Sequence, residues 1–303
     1  MSDCVFEPCA SRLRTLLGVS DSEFVAEPED PCGTGVLVLS GSSGALEFER
    51  ARLLATHGAT AVALRWFGGI GQQPGPWEVP LETFTDALSR LAPRVDRLAL
   101  VGSSFGAEAA LLTAVLDGRV TAVVAVAPSP VVWAGVTDRG RVTSHWTWGG
   151  EVVPFVPFDD GWRPDRDPPA FRRLYERSLE TYADRVPAAT IPVERSLAEL
   201  VLIGGEDDQV WPGAEFARRV AMRRLPDGPR TTVVTHPDAG HRVVLPGERP
   251  VSRGQRMARG GTPETDAALG VQAWPAIIRA LRLRSAPSTA TPIAGRRTKR
   301  PRR

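Results

Sequence analysis

An α/β fold, a mostly parallel sheet with helices on both faces, is predicted by three features of the sequence. Short unbroken runs of β-branched residues and leucine alternate with stretches of helical length. One run, Leu98-Ala-Leu-Val101, passes directly into Gly102-Ser-Ser104-Phe-Gly106 and then into an Ala/Leu-rich helix. Between about residues 130 and 192 the alternation breaks and later resumes, the mark of an insertion on a regular core.

In chain order, residues 1–34 mix charge, proline and short apolar pieces and read as an N-terminal extension, with Glu23-Phe-Val-Ala-Glu27 a candidate edge strand. Gly35-Val-Leu-Val-Leu-Ser40 opens the core as a buried strand and ends in Gly41-Ser-Ser-Gly44 before a helix carrying Leu53 and Leu54. Thr60 to Arg65 is the next strand, followed by a Gly/Pro-rich loop from Gly68 to Pro80 and a helix over Leu81–Leu91. After the Leu98–Val101 strand, its tight Gly102–Gly106 elbow and the helix that follows comes the strand Thr121–Ala127. The insertion, about 130–192, crowds Trp133, Trp146, Trp148 and Trp162 among prolines and is expected to form either a lid or a surface loop pinned by buried aromatics, with one helix from Ala170 to Tyr182. The sheet resumes at Glu199-Leu-Val-Leu-Ile-Gly204 and at Arg230–Thr235. A last helix, Pro263 to Leu283, is expected to break at Pro275. The catalytic domain is thus placed at 35–283, with a disordered basic tail at 284–303.

Composition narrows the classes. A chain of 303 residues that is 42% hydrophobic can bury one substantial core. The net charge of +2 rests on six basic residues after position 295; the remainder carries 31 basic and 35 acidic residues, so no nucleic-acid surface is expected of the folded part. Cys4, Cys9 and Cys32 have neither metal-site spacing nor a nearby histidine, so no metal is expected. No membrane-spanning run and no basic start followed by an apolar block occur, which predicts a cytoplasmic protein.

A serine held in a tight strand-to-helix turn has its hydroxyl lifted clear of the sheet, and the turn needs minimal side chains two residues to either side. Gly102 and Gly106 meet that need, which makes Ser104 the candidate nucleophile. A serine hydroxyl is weak at neutral pH and needs an imidazole to take its proton and a carboxylate to orient that imidazole. Asp208, in Gly205-Glu-Asp-Asp208, lies just past one strand, and His241, after Ala239-Gly240, follows the next. Asp207 competes with Asp208 for the orienting role, and His145 is a second, less favoured histidine. The order Ser, acid, His is that of α/β-hydrolases. The N–H of Phe105 and those of the Ser42–Ser43 turn are candidate oxyanion donors, while Trp133, Trp146 and Trp148 are candidate walls of an acyl pocket.

With these residues in place, the chain resembles the catalytic domain of the acyl-CoA thioesterase and bile acid-CoA:amino acid N-acyltransferase family, in its bacterial form. The resemblance is carried by Gly44-Ala-Leu-Glu-Phe-Glu-Arg50 through Ala55, the elbow with Gly106-Ala-Glu108, Val131-Val-Trp-Ala-Gly135, Ser144-His-Trp-Thr-Trp148, Ile191-Pro-Val-Glu-Arg195, Gly205 through Pro212, and Asp238-Ala-Gly-His241. It implies acyl transfer from a CoA thioester to water or an amine, without a cofactor. Amine-conjugating members usually carry a cysteine nucleophile, so Ser104 favours hydrolysis. The N-terminal β-sandwich of the animal members is not expected here, since about 34 residues precede the first core strand. The expected function is a serine hydrolase cleaving an acyl thioester. Its alternatives are a carboxylesterase or dienelactone-type hydrolase, an acyltransferase to an amine or hydroxyl, and a catalytically silent binding protein.

Overall fold

The computed structural model describes residues 21–249 and 255–285. The main sheet is built from β1 (Glu23–Ala26), β2 (Thr34–Leu39), β3 (Thr60–Leu64), β4 (Arg97–Ser103), β5 (Val120–Val126), β6 (Glu199–Gly205) and β7 (Thr231–His236). Their spatial order is β1-β3-β2-β4-β5-β6-β7, and every pairing is parallel except that of β1 with β3. The sheet therefore starts at the candidate edge strand, ahead of the boundary expected at residue 35. Cys4, Cys9 and the tail beyond residue 285 lie outside the described residues.

Why the strands read as continuous apolar runs is visible in β2. Val36 and Val38 face one side and Leu37 and Leu39 the other, and all four are buried, because both faces of the sheet are covered. The Leu37 face packs α2 (Glu82–Leu91), α3 (Phe105–Leu116) and α5 (Gly213–Met222). Against the Val36 face lie α1 (Phe48–Thr56) and α6 (Pro263–Ala280). Helix α3 is apolar all round rather than on one stripe, as a helix wedged between sheet and insertion must be.

The inserted segment is more ordered than a loop. Ala134–Val136 pairs with Val142–Ser144, and Trp146–Trp148 pairs with both Glu151–Val152 and Val79–Pro80. The Gly/Pro-rich loop before α2 thus joins the insertion through a short parallel ladder. Helix α4 (Arg172–Thr181) follows. Trp133, Val156 and Tyr175 pack with Trp211 and Phe216 into a third apolar cluster.

The break expected at Pro275 does not occur, and α6 runs unbroken from Pro263 to Ala280. Proline deprives the Val271 carbonyl of its usual partner, but Val271 is on the solvent side, where water can satisfy it. Leu269, Ala273 and Ile277 keep the opposite face buried against the sheet.

The elbow between β4 and α3 has the tightest backbone approach in this part of the fold. A Cβ on Gly106 would overlap the carbonyls of Leu39 and Ser40 at the end of β2, and one on Gly102 would overlap the Gly106 carbonyl. Gly106→Ala is expected to destabilise the protein by roughly 1–3 kcal/mol through backbone displacement. Gly118→Ala, where a Cβ meets nothing within 4 Å, serves as the control. Urea unfolding midpoints of the two variants check this.

Candidate active site

Ser104 sits between β4 and α3 at φ 56° and ψ −121°, a left-handed conformation that a non-glycine residue adopts only when its surroundings impose it. Its N–H donates to the Val126 carbonyl at 2.8 Å, and its own carbonyl accepts from Ala107 N–H at 2.8 Å, so the residue is fixed from both sides. The turn after β2 passes directly over it: a Cβ on Gly41 would lie 3.6 Å from Ser104 Oγ. Ser42 and Ser43 occupy the middle of that turn, which is closed by Gly44 N–H donating to the Gly41 carbonyl at 3.3 Å, and both serines are exposed. Phe105 begins α3, in the first turn where N–H groups lack intrahelical acceptors.

The other two candidates meet each other. Asp208, fully buried after β6, accepts from His241 Nδ1 at 2.8 Å through Oδ2. Its Oδ1 accepts from the N–H groups of Val210 at 2.8 Å and Trp211 at 3.2 Å. The Nδ1 nitrogen of His241 must carry the proton in that bond, which leaves Nε2 as the basic nitrogen. Asp207 is turned elsewhere, accepting from Gly261 N–H and from the Gln209 amide, both at 2.8 Å. The structure thus brings Asp208, not Asp207, to the imidazole.

Strand order then explains how the three residues share one edge. Ser104 follows β4, Asp208 follows β6 and His241 follows β7, all at the carboxyl ends of parallel strands, where ligands of open α/β sheets gather. Trp211 links them, its ring centroid lying 5.4 Å from that of His241 and 5.7 Å from that of Phe105.

Several positions that sequence reasoning missed hold this geometry. The Arg259 carbonyl accepts from both Gln209 N–H at 3.2 Å and His241 N–H at 2.9 Å, tying the acid turn to the histidine loop. Asp266, in the first turn of α6, accepts from Gly240 N–H at 2.8 Å. Buried Arg50 donates to Ser103 Oγ at 2.8 Å, to the Val243 carbonyl at 3.1 Å and to both Glu248 carboxylate oxygens, and so joins the elbow to the chain beyond His241. Burial works against the Arg50 charge, but the Glu248 carboxylate outweighs it and the pKa is pushed up. Within the resemblance quoted above, Arg50 was visible only as one basic residue on a helix.

The tryptophans require a correction. Trp133 and Trp146 have no exposed surface and belong to the core instead of a pocket wall. Their polar atoms explain it: Trp146 Nε1 donates to Glu108 Oε1 at 2.5 Å, and Trp133 Nε1 to Ser129 Oγ at 2.8 Å. His145, also buried, places Nδ1 3.2 Å from the same Glu108 oxygen and lays its ring 4.0 Å from that of Phe105. Trp148 is exposed and lines an apolar groove with Leu112, Leu116 and Val132. That groove lies at the far end of α3 from Ser104, eight to twelve residues on, or roughly 12–18 Å along the axis. His57 and His236 are structural: His57 Nδ1 meets the Arg284 carbonyl at 2.9 Å, and His236 accepts from Asp238 N–H at 3.2 Å.

Burial raises the carboxyl pKa of Asp266, against the opposing effect of the Gly240 N–H. A folded-state value above the unfolded one, about 3.9, gives a stability contribution that is complete below the unfolded value and is lost as pH rises through the folded one. Asp266→Asn should keep the acceptor for Gly240, remove that pH-dependent loss, and melt no lower than wild type at neutral pH. Asp266→Ala should cost about 1–3 kcal/mol by orphaning a buried N–H. Thermal melts across a pH series check both.

Comparison with known proteins places this geometry in context. The family described as BAAT / Acyl-CoA thioester hydrolase C terminal matches residues 79–284. Human acyl-coenzyme A thioesterase 6 is 28% identical over 272 residues, covering 82% of this chain and 59% of that protein. Rat acyl-coenzyme A amino acid N-acyltransferase 2 is 27% identical over 259 residues, covering 79% of this chain and 57% of that protein. The chain therefore spans a little over half the length of these relatives. Among solved structures, the esterase domain of a Rhodothermus marinus protein aligns with a TM-score of 0.46 and 15% identity, over 86% of this chain and 91% of that one. Among the described residues, no helix is long and apolar enough to cross a membrane. With a family match over more than half of its length and a mostly parallel sheet covered by helices on both faces, this chain belongs to the BAAT / acyl-CoA thioester hydrolase C-terminal family and has the α/β-hydrolase fold.

Proposed function

We propose that the protein is a serine hydrolase that cleaves an acyl thioester of the acyl-CoA kind through an acyl-enzyme on Ser104. The observation that carries this reading is the 2.8 Å contact between buried Asp208 and His241 Nδ1, at the sheet edge where Ser104 is held in the left-handed elbow. With Nδ1 committed to Asp208, Nε2 of His241 takes the Ser104 hydroxyl proton as Oγ attacks the thioester carbonyl. Phe105 N–H and an N–H of the 41–44 turn face the developing oxyanion; one such donor typically contributes about 3–4 kcal/mol to the transition state. His241 then returns the proton to the departing thiolate, activates a water and regenerates the serine. Asp208 does not change protonation; it fixes the tautomer and stabilises the imidazolium.

Transfer of the acyl group to an amine is the second reading, favoured by the similarity to the rat N-acyltransferase. Serine at position 104, where amine-conjugating relatives usually have cysteine, supports water as the acceptor.

A panel of acyl-CoA thioesters and simple esters, assayed with and without glycine, tests the reading. Acyl-CoA should be hydrolysed in preference to the esters, with free acid as product whether or not glycine is present; an acylglycine product would establish transfer instead. Asp208→Asn should lower kcat on the order of 10⁴-fold by stabilising the wrong tautomer. Asp207→Asn, whose contacts are to Gly261 and Gln209, should lose far less.

A further inference from the structure

We propose that a second cleft, between residues 162–177 and Gln209, binds the phosphorylated nucleotide end of a CoA thioester. The proposal rests on the functional reading above, since it supplies the subsite that an acyl-CoA substrate needs and an ordinary ester does not.

The cleft encloses about 270 Å³ and is lined by Arg163, Arg166, Arg172, Arg173 and Arg177, against only two carboxylates, Asp165 and Glu176. Two of the five guanidinium groups have structural work. Arg172 holds Glu176 at 3.0 Å and the Glu206 and Asp208 carbonyls at 2.9 and 3.1 Å, and Arg177 holds Asp159 at 2.6 Å. Of the other three, Arg163 and Arg166 have no carboxylate within ion-pair distance among the described residues. Arg163 donates only to the carbonyls of Asp160 and Trp162, and Arg166 donates to the Gln209 amide oxygen at 2.8 Å. Arg173 forms long ion pairs with Glu176 and Glu180, both at 3.5 Å on the exposed side of α4. Five arginines, three of them exposed, line one cleft against two carboxylates and form a site for an anion of several charges, and the planar guanidinium suits phosphate in particular.

Two further features narrow the ligand from phosphate to nucleotide. Trp162, half-buried, lines the cleft and its ring centroid lies 5.4 Å from that of Phe171, so an aromatic ring stands among the arginines and is available for base stacking. Gln209, on the cleft wall, is the residue next to Asp208, and Arg172 of the cleft bonds the Asp208 carbonyl. Phosphates bound here would therefore lie on the flank of the Asp208–His241 pair, and the flexible pantetheine arm would run from the cleft toward Ser104. The same acid turn orients the imidazole on one side and lines the nucleotide cleft on the other.

Calorimetric titration of the protein with CoA, with CoA lacking its 3′-phosphate, and with pantetheine reads the site without turnover. CoA should bind, loss of the 3′-phosphate or of the whole nucleotide should each weaken binding at least tenfold, and the Arg163→Ala/Arg173→Ala double variant should weaken CoA at least tenfold while melting as wild type does. Trp162→Ala should weaken CoA while leaving the preference for the 3′-phosphate intact. No CoA binding by the wild type, equal Kd values for CoA and pantetheine, or equal CoA affinity in wild type and double variant would each overturn the proposal. Turnover separates it from the functional reading. Hydrolysis of acyl-CoA and acyl-pantetheine with equal kcat/KM by both wild type and double variant would keep the thioesterase and remove the nucleotide site. Arginine-dependent CoA binding without hydrolysis of either thioester would do the reverse.

Discussion

Ser104 can hold φ 56° because neither Gly102 nor Gly106 carries a side chain, and the elbow can close onto the end of β2 for the same reason. Much of the site follows from that close approach. It places the start of α3 against the Ser40 carbonyl, which sets the 41–44 turn beside the serine hydroxyl and the first-turn N–H groups of α3 on the same side. The strain of a left-handed serine, typically about 1–3 kcal/mol, is offset by the bond from its N–H to Val126 and by the burial of nearly the whole of α3.

Catalytic geometry in a parallel sheet has to be assembled from loops far apart in sequence, and here backbone and ion-pair ties do so. The Arg259 carbonyl receives both the acid turn and the histidine loop. Arg50, paired with Glu248, reaches Ser103 beside the nucleophile. Glu108 gathers the Trp146 indole, His145 and the Trp133 backbone N–H on one oxygen, fixing the inserted segment to the elbow helix. Its other oxygen is buried without a partner, a cost accepted only where one oxygen is heavily used. Buried polar contacts thus connect the elbow helix to the inserted segment.

Local signals were legible in the sequence. Each main strand announced itself as an apolar run, and the elbow, the acid turn and the Ala-Gly-His loop each carried a short pattern that physical chemistry explains. Contacts between distant residues were not legible. Nothing in the spacing of tryptophans distinguishes a ring that lines a pocket from one whose indole N–H is bonded to a buried polar group, so Trp133 and Trp146 read as pocket walls although their bonds to Ser129 and Glu108 lie in the core. Proline suggests a break at 275, yet the apolar stripe of α6 against the sheet outweighs one lost hydrogen bond. Asp208 was preferred to Asp207 in the sequence, but the contacts that separate two acids past the same strand, His241 for one and Gly261 and Gln209 for the other, appear only in the fold.

The central claim, that the elbow serine is an activated nucleophile, is tested most directly by covalent labelling. A fluorophosphonate probe followed by peptide mapping should modify Ser104 in the wild type. It should fail on Ser104→Ala and react far more slowly with His241→Ala, in which the hydroxyl has lost its base. Labelling of the Ser104→Ala variant at the wild-type rate, or a modification mapped to another residue, would contradict the account.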